Sequence, residues 1–303
     1  MKKKSNWLSR ISLSALTIFS MYVSADTGEH VKLEINFDKY YLPYVTFIVN
    51  GHPVYALVDT GSSFGLHLQE SQLKKINGLK KERVYRSIDA NGKVQNNIEY
   101  LADTLYVNGI KLENVTITPF KEWGLMRSGE GDLAENGPVE GPVAGLGLFK
   151  NKTILLDYVS NSLTISDEID NISLTKDGFK EYFFQMSPDG LVFYVEQSGK
   201  KYHLLLDTGS NLSVVWSERM KSHKIISCLL VDPDMNNKEC EATPLEIKSR
   251  EGHSERFIAV VVAGNFKHMG EVDGMIGNNF LKNRKVLIDF VNHKVFISNV
   301  KEK

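Results

Sequence analysis

Two short stretches of the sequence carry the same acidic motif. Asp-Thr-Gly-Ser occurs at residues 59–62 and again at residues 207–210, so that the two acids are Asp59 and Asp207. Each copy follows an apolar run, which predicts a carboxylate at the end of a buried strand. Two carboxylates held close together cannot both ionise, so the pair shares one proton. Such a pair offers a base that activates water and an acid that polarises a carbonyl oxygen.

The residues beside the two acids suit this chemistry. Gly61 and Gly209 allow a turn tight enough to bring backbone N–H groups to the carboxylates. We expect the hydroxyls of Ser62 and Ser210 each to donate a hydrogen bond to the neighbouring carboxylate, which favours its ionised form. The sequence therefore predicts an acidic or mildly acidic pH optimum. A single copy of the motif would be an ordinary turn or helix N-cap.

The two motifs are landmarks of a longer internal duplication. A later block, hydrophobic-hydrophobic-Gly, ends at Gly145 in the first half and at Gly277 in the second. Each block is followed, at the same spacing, by an apolar run ending in an acid, Asp157 or Asp289. We interpret these two acids as structural turn residues, because each opens the final hairpin of its repeat. The recurrence of the blocks in the same order predicts two homologous lobes.

The residues between these blocks predict a mainly β protein, with two β-barrel-like lobes and a cleft between them. Short runs rich in Val, Ile, Tyr and Phe alternate with Gly, Asn and Asp turns. We assign residues 1–25 to a signal peptide, 26–166 to the N-terminal lobe, 167–182 to the crossover and 183–303 to the C-terminal lobe. Short helical turns are expected near residues 69–76 and 280–283.

Taken together, these motifs resemble the pepsin-like aspartic proteases, with each lobe similar to a retropepsin subunit. The resemblance covers roughly residues 31–297 and implies a compact, single-chain, bacterial-type aspartic endopeptidase without cofactor or metal. It implies that the hydroxyls of Thr60 and Thr208 cross between the lobes, and that Gly145 and Gly277 belong to the segments that thread behind the catalytic loops. It also implies polypeptide substrates that bind in extended conformation, and a monomer.

The sequence departs from that family at the flap hairpin, which covers the first aspartate. Its tip aligns with Ala90, Asn91 and Gly92, and Asn-Gly is a strong hairpin turn. The family's tyrosine near the tip is missing, and neither Tyr85 nor Tyr100 is a convincing replacement. We therefore expect an atypical closure of the site.

The N-terminus and the cysteines predict export to the periplasm or the medium. Four basic residues, an apolar run and Val-Ser-Ala at residues 23–25 form a signal peptide pattern, although an uncleaved anchor is the alternative. Without residues 1–25 the net charge changes from −1 to −5, which argues against nucleic acid or an anionic membrane as a partner. Cys228 and Cys240 are expected to form a local disulfide. Two free thiols or a metal site are the alternatives.

Three functions are compatible with the sequence. The leading one is an endopeptidase that cuts extended polypeptides through Asp59 and Asp207. A peptide- or inhibitor-binding protein without turnover is the second, because a fold never settles catalysis. A processing protease with one or a few partner proteins is the third. The intact motifs favour catalysis over binding alone.

Overall fold

The prediction of a mainly β fold is confirmed by a computed structural model, which describes residues 30–88, 94–121, 141–167, 178–220, 224–230, 238–263 and 270–298. The strands of the first half are β1 (His30–Phe37), β2 (Pro43–Val49), β3 (His52–Asp59), β4 (Leu66–Leu68), β5 (Lys80–Ile88), β6 (Val94–Val107), β7 (Ile110–Pro119), β8 (Val143–Gly145), β9 (Thr153–Asp157) and β10 (Ser162–Ser166). Those of the second half are β11 (Phe179–Tyr182), β12 (Phe184–Ser187), β13 (Gly190–Gln197), β14 (Lys200–Leu206), β15 (Val214–Trp216), β16 (Ile226–Leu230), β17 (Lys238–Lys248), β18 (Ser254–Val262), β19 (Gly274–Ile276), β20 (Lys285–Asp289) and β21 (Lys294–Ser298).

Helices are short. One turn of α-helix, α1, spans Glu70–Leu73 inside the predicted region. Another, α2, spans Asn278–Leu281 and so begins two residues earlier than expected, directly after Gly277. Turns of 3-10 helix cover Leu146–Leu148 and Ser217–Arg219. No helix of the described ranges is long and apolar enough to cross a membrane.

The two halves repeat one strand order. In the first half the order is β1-β2-β3-β8-β4-β7-β6-β5, and in the second it is β12-β13-β14-β19-β15-β18-β17-β16. The additional pairings match as well, because β2 pairs with β6 and β13 pairs with β17. Alternation explains why these segments form strands: in β2 the inward Val45, Phe47 and Val49 are buried while Thr46 and Ile48 face solvent.

The lobes meet on a shared set of strands. The order β11-β21-β20-β9-β10-β1 extends the first sheet, and β20 pairs antiparallel with β9 along its full length. Buried residues of both halves, such as Ile154, Leu156, Val286 and Ile288, belong to one core cluster. This common sheet holds the two halves together. The lobe boundaries of the sequence analysis stay predictions.

A disulfide joins Cys228 to Cys240, as the sequence predicted. The two residues face each other across the β16–β17 hairpin. The bridge lies at the edge of the second sheet, so its role is local. The predicted signal peptide lies outside the described residues.

Candidate active site

The two motif acids stand at equivalent strand ends. Asp59 is the last residue of β3, and Asp207 directly follows β14. Each acid accepts a hydrogen bond of 2.8 Å at Oδ1 from the backbone N–H two residues on, that of Gly61 or Gly209. Buried apolar residues directly before the acids, Val58 and Leu206, fix the backbone that carries them. The local geometry is thus the same in both halves.

The two loops touch each other across the lobes. A Cβ placed on Gly61 would lie 2.8 Å from the carboxyl carbon of Asp207, and one on Gly209 would lie 2.9 Å from that of Asp59. The Cβ placed on Gly209 would also lie 3.1 Å from Oδ1 of Asp207, so the two carboxyl groups are neighbours. Glycine is required at both positions because a side chain would collide with the opposite acid. The structure therefore brings Asp59 and Asp207 together.

This arrangement raises the pKa of both acids above the ordinary value of 3.8. Burial raises the pKa of Asp59, against the hydrogen bonds from Asp207, Gly61 and Gly209 that lower it. Burial raises the pKa of Asp207 strongly, and the nearby charge of Asp59 raises it further. One carboxyl group therefore keeps its proton at pH values where an exposed aspartic acid has lost it. The two titrations belong to the pair.

Thr60 and Thr208 tie the two loops together, as the resemblance implied. The Thr60 hydroxyl donates to the Leu206 carbonyl at 2.8 Å, and the Thr208 hydroxyl donates to the Val58 carbonyl at 2.6 Å. Each hydroxyl also accepts the backbone N–H of the other threonine at 3.0 Å. Both side chains are buried, with 1% and 0% exposure. Four hydrogen bonds thus cross between the lobes directly below the acids.

Gly145 and Gly277 lie behind the loops. The β8 strand runs parallel to β3 with Gly145 opposite Asp59, and β19 runs parallel to β14 in the same way. A Cβ on Gly145 would lie 2.3 Å from the Phe64 carbonyl oxygen, and one on Gly277 would lie 2.4 Å from that of Leu212. Only glycine allows the backbone this close. Both positions support the acid loops from behind.

Substitution of Gly277 with alanine is expected to lower the free energy of unfolding by about 3 kcal/mol or more, because the new methyl meets backbone that cannot move aside. Gly78 is the control, since its φ of +75° strains an alanine but no atom lies within 4 Å. We expect Gly78→Ala to cost about 1 kcal/mol. Urea unfolding measures both, and equal losses in the two variants would contradict the packing argument.

The predicted serine hydrogen bonds are wrong. The Ser62 hydroxyl lies 2.9 Å from Nε2 of His67, and the Ser210 hydroxyl donates to the Leu212 carbonyl at 2.8 Å. What reaches Asp207 from Ser210 is the backbone N–H. The reason is the tight turn, which points the Ser62 hydroxyl toward β4 and the Ser210 hydroxyl toward the backbone of its own loop. The hydroxyl argument for an acidic optimum therefore no longer applies.

Two buried polar residues near the acids were missed by sequence reasoning. Asn278, fully buried, donates from Nδ2 to the Thr208 carbonyl at 2.8 Å and accepts the Tyr158 hydroxyl at 2.6 Å. Tyr158 belongs to the first half, so this pair is another link across the lobes. The available signal was an asymmetry in the repeat, because the first half has Leu146 where the second has Asn278.

His67 is the third missed residue. It lies on β4 between β7 and β8, and its Nδ1 is 2.8 Å from the hydroxyl of Thr118. Burial lowers the pKa of His67 to about 4, so its imidazole is neutral above that pH. No sequence motif marks His67, because its partner Thr118 comes from a strand 51 residues further along the chain.

The pKa of His67 predicts a stability loss in acid. The folded protein binds this proton less readily than the unfolded chain, whose histidine has a pKa near 6.5. Stability is therefore fully present above pH 6.5 and falls as the pH decreases toward about 4, by at most about 3 kcal/mol and less because the side chain is only half-buried. We expect His67→Val to remove this component in urea unfolding at pH 4 and 7. A variant with the same pH dependence as the wild type would contradict it.

Two other predictions concern the flap and metal binding. The predicted flap residues Ala90, Asn91 and Gly92 lie outside the described residues, although strands β5 and β6 lead to and from them. Within the described ranges, no group of three or more His, Cys, Asp or Glu side chains is placed to hold a metal ion.

Comparison with known proteins supports the resemblance. Residues 45–132 match a family model described as aspartyl protease. No curated protein sequence matches the chain. Residues 45–132 are therefore similar to aspartyl proteases.

Solved structures match over nearly the whole chain at low identity. An aspartic proteinase from Irpex lacteus has a TM-score of 0.56 at 13% identity, and covers 90% of this chain and 98% of its own. Basic 7S globulin from soybean has a TM-score of 0.55 at 12% identity, with 89% and 95% covered. Conglutin gamma from lupine seeds has a TM-score of 0.51 at 11% identity, with 90% and 95% covered. Two of these are named globulins, so the likeness establishes the fold alone.

Proposed function

We propose that this chain, related to aspartyl proteases by its N-terminal region and its fold, is an aspartic endopeptidase with Asp59 and Asp207 as its catalytic pair. One observation carries the proposal. The two carboxyl groups lie side by side, since a Cβ on Gly209 would be 2.9 Å from Oδ1 of Asp59 and 3.1 Å from Oδ1 of Asp207, and burial raises the pKa of both. A protein that only binds peptides has no need for two buried acids that share a proton, because burying them costs free energy.

The proposed reaction uses the pair as base and acid together. The ionised carboxylate takes a proton from a water molecule, whose oxygen attacks the carbonyl carbon of the scissile peptide bond. The protonated carboxyl group donates to the carbonyl oxygen as negative charge develops there. When the tetrahedral intermediate collapses, the C–N bond breaks and the leaving nitrogen receives a proton from the pair. The pair again holds one proton at the end of the cycle.

The raised pKa values define the expected pH dependence. Activity requires one proton on the pair and is lost as the pH rises above the higher of the two apparent pKa values. Because burial raises the pKa of both acids, this limit lies above the ordinary aspartate value of 3.8. We therefore expect a mildly acidic optimum for kcat/KM. A maximum above neutral pH would contradict this expectation.

We propose extended polypeptides as substrates, bound as strands through backbone hydrogen bonds and alternating side-chain pockets. Export to the periplasm or the medium, and a monomeric state, remain parts of this proposal. The second candidate is peptide binding without turnover, which the two structurally similar globulins make worth testing. A processing protease with few substrates is a more specific form of the first candidate, the endopeptidase.

A peptide library tests the proposal. Residues 26–303 are incubated with diverse peptides between pH 3 and 7, and the products are identified by mass spectrometry. We expect cleavage within peptides, and inhibition by a statine-type mimic of the tetrahedral intermediate. Peptide binding without cleavage at any of these pH values would favour the second candidate, whereas cleavage at very few sequences would favour a processing enzyme.

A further inference from the structure

An open pocket of about 850 Å³ lies on the outer face of β2 and β3. This volume is within the usual range of ligand sites. Neither Asp59 nor Asp207 lines the pocket, because Tyr55 in its wall precedes Asp59 by four positions, roughly 13 Å along β3. The pocket is therefore separate from the proposed catalytic centre. Its lining includes Asp38, Tyr44, Thr46, Tyr55, Gln72 and Pro142.

Two tyrosine rings form one wall of the pocket. The rings of Tyr44 and Tyr55 stack with centroids 5.1 Å apart and planes 16° from parallel. They are diagonal neighbours across β2 and β3, since Tyr44 lies opposite Leu57 and Tyr55 lies opposite Thr46. Tyr44 packs against the buried Leu57, whereas Tyr55 is 50% exposed. Half of the Tyr55 side chain is thus available to a ligand.

A carboxylate in a fixed position stands beside these rings. Oδ1 of Asp38 accepts the backbone N–H groups of Tyr40 at 2.9 Å and of Leu42 at 2.7 Å, which holds the turn between β1 and β2. In the part of the chain that the structure describes, Oδ2 has no hydrogen-bond partner. Burial raises the pKa of Asp38 above 3.8, although these N–H groups and the charge of Lys39 lower it. The carboxylate is therefore partly desolvated, with one oxygen left for a ligand.

The charge of the pocket favours a cation. Of the residues that the structure describes, no Lys, Arg or His lines it. Burial and then the charge of Asp38 raise the pKa of Tyr44 to about 12, and the same two causes raise the pKa of Tyr55. A carboxylate beside an aromatic face attracts a cation, because the ring quadrupole adds to the charge. Arginine suits this combination, since its planar guanidinium stacks on a ring while its N–H groups donate sideways.

The second half of the molecule shows that the fold does not need this aromatic wall. Val192 lies opposite Leu205 there, as Tyr44 lies opposite Leu57 in the first half. Val192 is buried and packs in one cluster with Leu205. A small apolar residue therefore suffices at this position of the repeat. The stacked tyrosines are confined to the lobe that also carries Asp38.

We propose that this pocket binds an arginine side chain of a polypeptide substrate, with the guanidinium stacked on Tyr55 and donating to Oδ2 of Asp38. The identity of the ligand as a substrate rests on the proposed function, whereas affinity for a guanidinium group requires no turnover. Because an extended residue spans about 3.3 Å, the arginine lies about four residues from the scissile bond. Asp38 and Tyr55 are then specificity residues outside the catalytic centre.

A titration of the purified protein tests the pocket without turnover. The probe is N-acetyl-arginine amide, and N-acetyl-citrulline amide is its neutral counterpart of the same shape. We expect the ¹³C NMR signals of the Tyr44 and Tyr55 rings to shift saturably with the arginine probe alone. Asp38→Asn keeps an oxygen for the turn but removes the charge, and is expected to raise Kd about tenfold.

Two substitutions of Tyr55 separate the ring from its hydroxyl. Tyr55→Val should raise Kd about tenfold, whereas Tyr55→Phe should stay within twofold of the wild type, because the ring face is kept. Asp189→Asn is the matched control for Asp38→Asn, since Asp189 is an exposed acid on the turn before β13. It should leave Kd within twofold. Because Asp38 and Tyr55 lie on different elements, either variant decides the matter if the other fails to fold.

Peptide cleavage tests the role in substrate selection. Pairs of peptides carry arginine or citrulline at three to six residues from the cleaved bond, on either side of it. We expect the wild type to prefer one arginine peptide about tenfold in kcat/KM, mainly through KM. In Asp38→Asn this preference should fall to about one, whereas the citrulline peptides should be cleaved within twofold of the wild-type rate. Asp189→Asn should keep the preference.

The outcomes separate the two proposals. If the protein cleaves peptides without any preference for arginine at these positions, the substrate pocket is overturned and the proposed function stands. If it cleaves nothing, the proposed function fails and the titration decides whether the pocket binds a guanidinium group. Equal shifts with the citrulline probe, or an unchanged Kd in Asp38→Asn, would overturn the arginine site in either case.

Discussion

Asp59→Asn and Asp207→Asn are each expected to lower kcat/KM for peptide cleavage by at least about 10⁴-fold, a loss typical of residues that act as a unit. An amide can neither accept the proton of the attacking water nor hold the proton that the two acids share. The double variant is expected to be no less active than either single variant, because removal of one acid already abolishes the pair. Initial rates with a peptide found in the library experiment measure all three.

The same variants are expected to be more stable at neutral pH. A carboxyl group whose pKa is raised by folding contributes stability at low pH that is lost as the pH rises through its folded pKa. Burial raises the pKa of both acids, so the folded protein loses stability when they ionise near neutral pH. The amide of asparagine does not ionise, so the variants do not lose this stability. A higher melting temperature at pH 7 together with lost activity would exclude misfolding as the cause. It would also agree with the frequent trade-off between stability and activity.

Asp189→Asn is the matched control for this pair. Asp189 is an exposed carboxylate on the turn between β12 and β13, so the substitution should change kcat/KM by less than twofold and stability by less than about 0.5 kcal/mol. Cleavage that survives either substitution of the pair would reject the proposed mechanism. A melting temperature that falls in both variants would contradict the account of their raised pKa values.

Thr208→Val is expected to lower the free energy of unfolding by about 2 to 5 kcal/mol and to lower kcat as well. The substitution keeps the shape of the side chain but removes a buried hydroxyl. That hydroxyl both donates and accepts a hydrogen bond across the lobes. It leaves the Val58 carbonyl and the Thr60 N–H without their partner. Each unpaired buried group costs about 1 to 3 kcal/mol. The acids then lose their fixed separation, which the reaction needs.

Thr60→Val should behave alike, because its hydroxyl makes the mirror pair of bonds with Leu206 and Thr208. Thr46→Val, on the exposed face of β2, is the control and should change stability by less than about 0.5 kcal/mol. Urea unfolding and initial rates measure the effects. If Thr208→Val and Thr46→Val had the same free energy of unfolding, the hydrogen bonds between the lobes would contribute no net stability.

Duplication made the centre of this site predictable. Asp59, Asp207 and the glycines beside them could be predicted as site residues from one sequence, because the same motif occurs in both halves of the chain. A glycine tolerates no substitute where an added Cβ would lie within 3 Å of a carbonyl or carboxyl group, so glycine recurs at the equivalent position of each copy. The strand-forming runs were readable for a similar reason, since alternation reflects which side of a strand is buried.

Side-chain partners were not predictable in this way. The hydroxyls of Ser62 and Ser210 follow the acids in sequence, yet the turn directs them to His67 and to Leu212. Thr118, the second partner of His67, and Tyr158, a partner of Asn278, lie more than fifty residues from them in sequence and are brought close by parallel pairing and by the shared sheet. Sequence spacing carries no record of such contacts, because they depend on register between distant strands. Local motifs therefore determine where the acids stand, and long-range packing decides which groups surround them.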